Sequence, residues 1–216
     1  MNPSFEELLG ATRVVPVITI ADAETAVPLA RALVSGGLNV LEITLRTDAG
    51  LESIRRIAAE VPAAVVGAGT VTTAQQLHAA RGAGARFVVS PGCTDALASA
   101  AAQAGGAFLP GAVTASEVLR LLELGITLMK FFPAETSGGV AALRALAAPF
   151  PQVRFCPTGG IDLRRARSYL ALPNVACIGG SWMVPGDLVG GGDWDAISAL
   201  AAQAAAATAV STPAPA

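Results

Sequence analysis

Lys130 is the residue whose chemistry fits its surroundings least. It stands in Leu128-Met129-Lys130-Phe131-Phe132-Pro133, with Gly125 upstream. That apolar run, bounded by Gly125 and Pro133, predicts a short buried strand. A lysine is almost never fully buried unless it is paired or put to use. The chain holds thirteen arginines and this one lysine. Salt bridges and solvated surfaces are thus served by guanidinium throughout. Only an amine can lose its proton in a desolvated site and attack a carbonyl, because guanidinium stays protonated. The chemistry that follows is nucleophilic, through a covalent amine adduct. An amine that snorkels from the strand end to water is the competing reading.

A second run, Val40-Leu41-Glu42-Ile43-Thr44-Leu45, also predicts a strand. Its period of two puts Val40, Glu42, Thr44 and Arg46 on one face and Leu41, Ile43 and Leu45 on the other. Glu42 is then either a counter-ion to Lys130 or Arg46 or a proton shuttle beside the amine. The shuttle is adopted, since Arg46 supplies another counter-charge. Arg46, at the strand end, suits a carboxylate held through two parallel hydrogen bonds; a plain surface arginine is the alternative. Two further stretches, Thr158-Gly159-Gly160 and Gly179-Gly180-Ser181, each end a predicted strand. Glycines there let backbone amides approach an anion closely. Turns would explain either pair alone.

Positioning these residues falls to an alternating chain. Strands are predicted over 14–20, 40–45, 64–70, 86–90, 107–109, 128–133, 153–156 and 175–178. Helices are predicted over 22–35, 48–60, 73–82, 95–105, 116–124 and 139–147, with two more opening at Asp162 and near Asp195. An extra helix leads at 4–9. Eight such units in this length predict an α/β fold, a single (β/α)8 TIM barrel over residues 1–207. A disordered Ala/Pro tail is expected over 208–216. An open doubly wound sheet is the runner-up, weakened because no G-x-G-x-x-G follows the first strand. In a barrel the apolar face of 40–45 meets the helices, so Glu42, Thr44 and Arg46 point inward. Lys130 and Phe132 likewise share a face. The two glycine pairs fall after strands seven and eight, where this architecture holds phosphate. Arg13, before the first strand, lies at the opposite barrel end and reads as structural.

Composition removes other classes. With 53% hydrophobic and 14% charged residues the chain is core-rich rather than disordered. A net charge of −2 without any basic run argues against nucleic acid or an anionic membrane as partner. The uncharged stretches 96–116 and 196–216 are broken by glycine, glutamine and proline, so no membrane span is expected. The N-terminus carries Glu6-Glu7 and no basic n-region, so no signal peptide is expected. Cys93, Cys156 and Cys177 read as reduced thiols of a cytosolic protein. The single histidine, His78, falls on a predicted helix surface. It excludes a His-rich metal site and argues against a Ser-His-Asp triad.

Taken together, these pieces closely resemble the 2-keto-3-deoxy-6-phosphogluconate (KDPG) aldolases, a family of class I aldolases that often also cleave 4-hydroxy-2-oxoglutarate. The resemblance is carried by Val15-Pro16-Val17, Leu41–Thr47, Val66-Gly67-Ala68-Gly69-Thr70-Val71, Ser90-Pro91-Gly92, Lys130–Glu135, Arg154–Gly160 and Ile178–Trp182. It implies that Lys130 forms a Schiff base and Glu42 is the acid/base. It puts Arg46 and Thr70 on the pyruvyl carboxylate, Pro91 and Phe132 along the pocket, and Gly159, Gly160 and Ser181 on the phosphate, with Gly180 beside them. Thr158 matches the gluconate-specific branch rather than the galactonate one. The resemblance further implies pyruvate and a phosphorylated sugar acid as ligands, no metal or other cofactor, a cytoplasmic homotrimer, and a place in the Entner–Doudoroff pathway. A phosphate-binding isomerase or epimerase and a non-catalytic sugar-phosphate binder are the rival classes. Neither needs an inward lysine paired with a glutamate.

Overall fold

The computed structural model describes residues 3–10 and 12–208. Eight strands run in chain order: β1 (Val14–Ile18), β2 (Val40–Thr44), β3 (Val65–Gly69), β4 (Phe87–Val89), β5 (Ala107–Leu109), β6 (Leu128–Phe131), β7 (Arg154–Pro157) and β8 (Ile178–Gly180). Helix α1 (Phe5–Leu9) precedes them. Between them lie α2 (Ala26–Ser35), α3 (Gly50–Glu60), α4 (Ala74–Gly82), α5 (Asp95–Ala104), α6 (Ala115–Glu123), α7 (Gly139–Ala147) and α8 (Leu163–Leu170). Helices α9 (Gly186–Gly191) and α10 (Trp194–Thr208) follow β8.

All pairings are parallel. Six strands hydrogen-bond in the order β5-β4-β3-β2-β1-β8, and β6 pairs with β7. Two bridges close the ring, Gly111 with Lys130 between β5 and β6, and Thr158 with Gly179 between β7 and β8. The (β/α)8 barrel expected from the alternation is therefore the fold. Its larger core lies between strands and helices, where Leu41, Ile43, Val66, Val88, Phe131 and Ile178 meet Leu29, Leu33, Ile54, Leu77 and Ile197.

A second cluster fills the lower barrel interior. It joins Val15, Val40, Phe87, Val89, Ala107, Leu109, Cys156 and Cys177 to Phe5 and Leu9 of α1. The leading helix is thus a plug, and Phe5 packs edge-on to Phe87 with ring centres 5.0 Å apart. Ser4 starts α1 by a capping box, in which its hydroxyl accepts from the Glu7 amide and the Glu7 carboxylate accepts from the Ser4 amide. Arg13 supports the same end, donating to the carbonyls of Leu170, Val175 and Ala176. Its structural reading holds. Cys156 and Cys177 are free thiols inside this cluster. Hydrogen bonding to Cys156 and burial both push the Cys177 thiol well above its usual range.

Most element edges shift by one to four residues from expectation, strand 128–133 for instance ending at Phe131 and helix 22–35 starting at Ala26 after a 3-10 turn. Three differences lie near the site or the C-terminal end. Strand eight is expected over 175–178, whereas β8 starts at Ile178 and consists of that residue with Gly179 and Gly180. These strand positions are glycine because a Cβ would overlap Thr158 at one and the Trp182 ring at the other. Helix α9, half glycine in sequence, was not expected; Leu188 and Val189 hold it against the core. Thr208 ends α10 and is buried, while the rest of the expected tail lies outside the described residues.

Phe5→Ala should lower the unfolding free energy by about 3–5 kcal/mol, the usual cost of emptying a buried aromatic site. Urea denaturation would register this as a lower midpoint at an unchanged slope.

Candidate active site

Lys130 lies inside the barrel, 5% exposed, and Glu42 is 3% exposed. The Lys130 Nζ donates to Glu42 Oε1 at 3.0 Å. Local structure fixes both ends of this contact. Glu42 sits in register with Gly67 of β3, and Gly69 stands two residues further on. A Cβ at Gly69 would overlap the Glu42 carboxylate, so glycine leaves the space that the acid fills. Lys130 is anchored through its backbone: its amide donates to the Pro110 carbonyl at 2.7 Å, and its carbonyl accepts from Ala112 at 2.9 Å. The Nζ also lies 5.5 Å from the centre of the Phe132 ring, close enough for a cation–π contribution.

Above the pair opens a cavity of about 540 Å³. Of the eleven residues singled out in the sequence, Arg46, Phe132, Thr158, Gly159, Gly160, Gly180 and Ser181 line it. Lys130 and Glu42 sit one layer deeper, two positions before Phe132 and Thr44 on the inward faces. Thr70 joins through Arg46, whose Nε donates to its Oγ1 at 3.2 Å. Pro91 is not on the cavity wall; it lies in the loop after β4, packed against Gly111, where a Cβ would overlap the Pro91 carbonyl.

Two features of the site were not read from sequence. Thr70 has φ of +56°, the one non-glycine residue in the left-handed region among the described residues. For a β-branched side chain this is a strained conformation, and it sits at the end of β3 beside Arg46. The wall also includes Asp22 and Thr25, from the turn after β1, and Gly186, Val189 and Gly190 of α9. Thr19, another wall residue, shares a 2.9 Å hydrogen bond with the fully buried Thr44.

Gly159 and Gly160 have φ of +107° and +76°, which glycine adopts without penalty. The bridge between Thr158 and Gly179 turns the Gly159 amide toward the Gly179 carbonyl, whereas among the described residues the Gly160 amide donates to no protein acceptor and is available at the cavity wall. Elsewhere His78 is exposed on α4. No group of three or more His, Cys, Asp or Glu gathers among the described residues to hold a metal.

A buried amine held against a carboxylate, below a cavity carrying an arginine and a free amide, is an arrangement whose chemistry suits an anionic carbonyl compound. The family model described as KDPG and KHG aldolase matches residues 5–200. The chain belongs to the KDPG and KHG aldolase family. A 2-dehydro-3-deoxy-phosphogluconate aldolase of Dickeya dadantii (strain 3937) is 55% identical over 203 residues, 94% of this chain and 95% of that protein. A solved KDPG aldolase from Legionella pneumophila, with pyruvate captured as a covalent carbinolamine intermediate, is 42% identical with a TM-score of 0.90. That match covers 93% of this chain and 97% of the other. A Zymomonas mobilis ZM4 structure of 2-keto-3-deoxy-6-phosphogluconate aldolase with 3-phosphoglycerate is 50% identical, TM-score 0.88, covering 92% and 93%.

Within this family architecture the ion pair is an energetic liability that can be tested directly. Lys130→Met leaves a carboxylate buried without its partner and should lower stability by ~3–5 kcal/mol at neutral pH. Adding Glu42→Leu removes both charges and should recover most of that loss. Urea unfolding of the two variants checks the cycle.

Proposed function

We propose that this chain is a class I aldolase that cleaves 2-keto-3-deoxy-6-phosphogluconate to pyruvate and glyceraldehyde 3-phosphate, with Lys130 as the Schiff-base lysine. The observation that carries the reading is the burial of the only lysine within hydrogen-bond reach of Glu42. The carboxylate stands where it can take the ammonium proton and free the amine. The amine attacks the C2 ketone to give a carbinolamine. Glu42 returns protons as water leaves, and an iminium forms.

The iminium is an electron sink. Glu42, directly or through a water, takes the C4 hydroxyl proton. The C3–C4 bond breaks, its electrons pass into the iminium, and the aldehyde departs. The remaining enamine is protonated at C3 and hydrolysed, releasing pyruvate and the free amine. Arg46 holds the substrate carboxylate. Thr70, whose oxygen accepts from Arg46, keeps its own hydroxyl proton for a carboxylate oxygen. Phe132 forms the apolar wall near C3, and Thr158 meets the hydroxyl-bearing carbons. Gly159, Gly160, Gly180 and Ser181 receive the phosphate through backbone amides and a hydroxyl. Pro91 is proposed as a boundary of the pyruvyl end, from the neighbouring loop.

Activity on 4-hydroxy-2-oxoglutarate at the same lysine is the second reading, favoured because the matching family model covers KHG as well as KDPG aldolases. The chain is further proposed to act in the cytoplasm as a homotrimer. No helix among the described residues is long and apolar enough to cross a membrane. Leu119 and Leu124, 54% and 51% exposed near α6, offer an apolar face for assembly.

Lys130 and the chain's N-terminus are its only primary amines. Borohydride reduction in the presence of pyruvate should therefore mark the Lys130 peptide, read by mass spectrometry. A folded protein without that adduct would sink the aldolase reading. Lys130→Arg should keep the fold and lose turnover. Arg46→Lys keeps the charge but not the planar fork. It should raise the pyruvate concentration for half-maximal trapping about tenfold, with trapping at saturation preserved.

A further inference from the structure

The loop that carries Gly159 and Gly160 is held from outside the cavity by groups the chemistry does not use. The carbonyl of Thr158 accepts from the Ala134 amide at 2.8 Å, and that of Gly159 from the Glu135 amide at 3.2 Å. The carbonyl of Gly160 accepts from Arg165 Nη1 at 3.3 Å. In a planar trans peptide the C=O of one residue points opposite to the N–H of the next. The Thr158 peptide lies in the sheet, its carbonyl toward Ala134 and the Gly159 amide toward Gly179 of β8. Fixing the Gly159 carbonyl on the Glu135 amide aims the Gly160 amide, on the cavity wall, away from that contact.

What fixes the outer side is a polar frame. Both Glu135 oxygens are engaged, Oε1 accepting from the Tyr169 hydroxyl and Oε2 pairing with Arg165 Nε at 3.1 Å. Arg165 and Tyr169 lie four residues apart on α8, hence on one face of that helix. Tyr169 is buried, 1% exposed. Burial and donation to Glu135 push its phenol well above the usual range, so it remains a donor. The fit leaves no slack. A Cβ at Gly160 would run into the Glu135 side chain, and one at Gly139 would press on the Tyr169 hydroxyl.

We propose that Glu135, Tyr169 and Arg165 are positioning residues that set the affinity for the substrate's phosphate by locking the peptide planes of Thr158–Ile161, without touching the substrate. This rests on the reading of the Gly160 amide and its neighbours on the cavity wall as the phosphate site. It predicts a selective defect. Glu135→Ala should raise KM for the phosphorylated substrate about tenfold or more, the worth of a misaligned anion hydrogen bond. Its kcat should stay within about twofold, since catalysis lies with Lys130 and Glu42. Borohydride trapping with pyruvate, which has no phosphate, should be unchanged, and this also shows that the variant is folded. Tyr169→Phe, which removes one hydroxyl from a retained ring, should shift KM in the same direction. Glu135→Gln, able to accept from Tyr169 but not to pair with Arg165, should fall between.

Binding of inorganic phosphate, followed by calorimetry, gives a readout independent of turnover and should weaken in parallel with KM. Unchanged phosphate binding in both Glu135→Ala and Tyr169→Phe would overturn the proposal. A proportional loss of pyruvate trapping would also overturn it, because the frame would then serve general stability. Wild-type protein that traps pyruvate yet neither binds phosphate nor prefers the phosphorylated substrate would overturn the phosphate site itself. Failure of the two ideas is thereby separated.

Discussion

An ammonium and a carboxylate, 3.0 Å apart and nearly sealed from water, impose the main constraint on this barrel. Moving such ions out of water costs several kcal/mol each even after relaxation, and their attraction offsets that cost only when geometry is tight. The rest of the interior is arranged accordingly. Below the pair, α1 and the Val15–Phe87–Leu109 layer keep the barrel dry. Beside it, Gly69 gives up a side chain so that the carboxylate has somewhere to lie. Beneath the lysine, hydrogen bonds to Pro110 and Ala112 hold the backbone still. Well-packed apolar residues would fill such a space at no loss of stability. A charged pair retained there points to use rather than to support.

The open side of the barrel solves a different problem, that of holding an anion with few formal charges. Arg46 is the one cationic side chain on the cavity wall. The opposite end relies on backbone amides, which carry only partial charge and act only when aimed. Aiming them falls to the loops after β6 and β7, which are laced together carbonyl by carbonyl. The two ends therefore differ in kind. In the proposed reading, charge and a strained Thr70 serve the carboxylate end, and preset peptide planes serve the phosphate end.

Much of this was legible in the residues. Helix and strand alternation reported the barrel, because each strand's hydrophobic run and each helix's cap are local signals. Period-two parity put Glu42 and Lys130 on inward faces without any knowledge of the partner strand. The lone lysine among thirteen arginines set apart the proposed nucleophile by chemistry alone. Local signals failed where packing overrides propensity. Gly179 and Gly180 read as the segment after strand eight but are strand residues that make room for Thr158 and Trp182, and the glycine-rich α9 packs its apolar residues against the core.

What the sequence by itself determined is which side chains face inward and what chemistry they can do. Those are properties of residue type and of a repeat a few residues long. What only the tertiary structure decided is distance. Glu42 and Lys130 are 88 residues apart in the chain, and their contact depends on ring closure and strand register, which no local pattern encodes. The left-handed turn at Thr70, the displacement of Pro91 from the cavity wall and the frame of Glu135, Tyr169 and Arg165 are of the same kind. Each arises when separate segments are forced together at one end of a closed barrel, where sterics and unsatisfied hydrogen bonds, not propensity, choose the conformation.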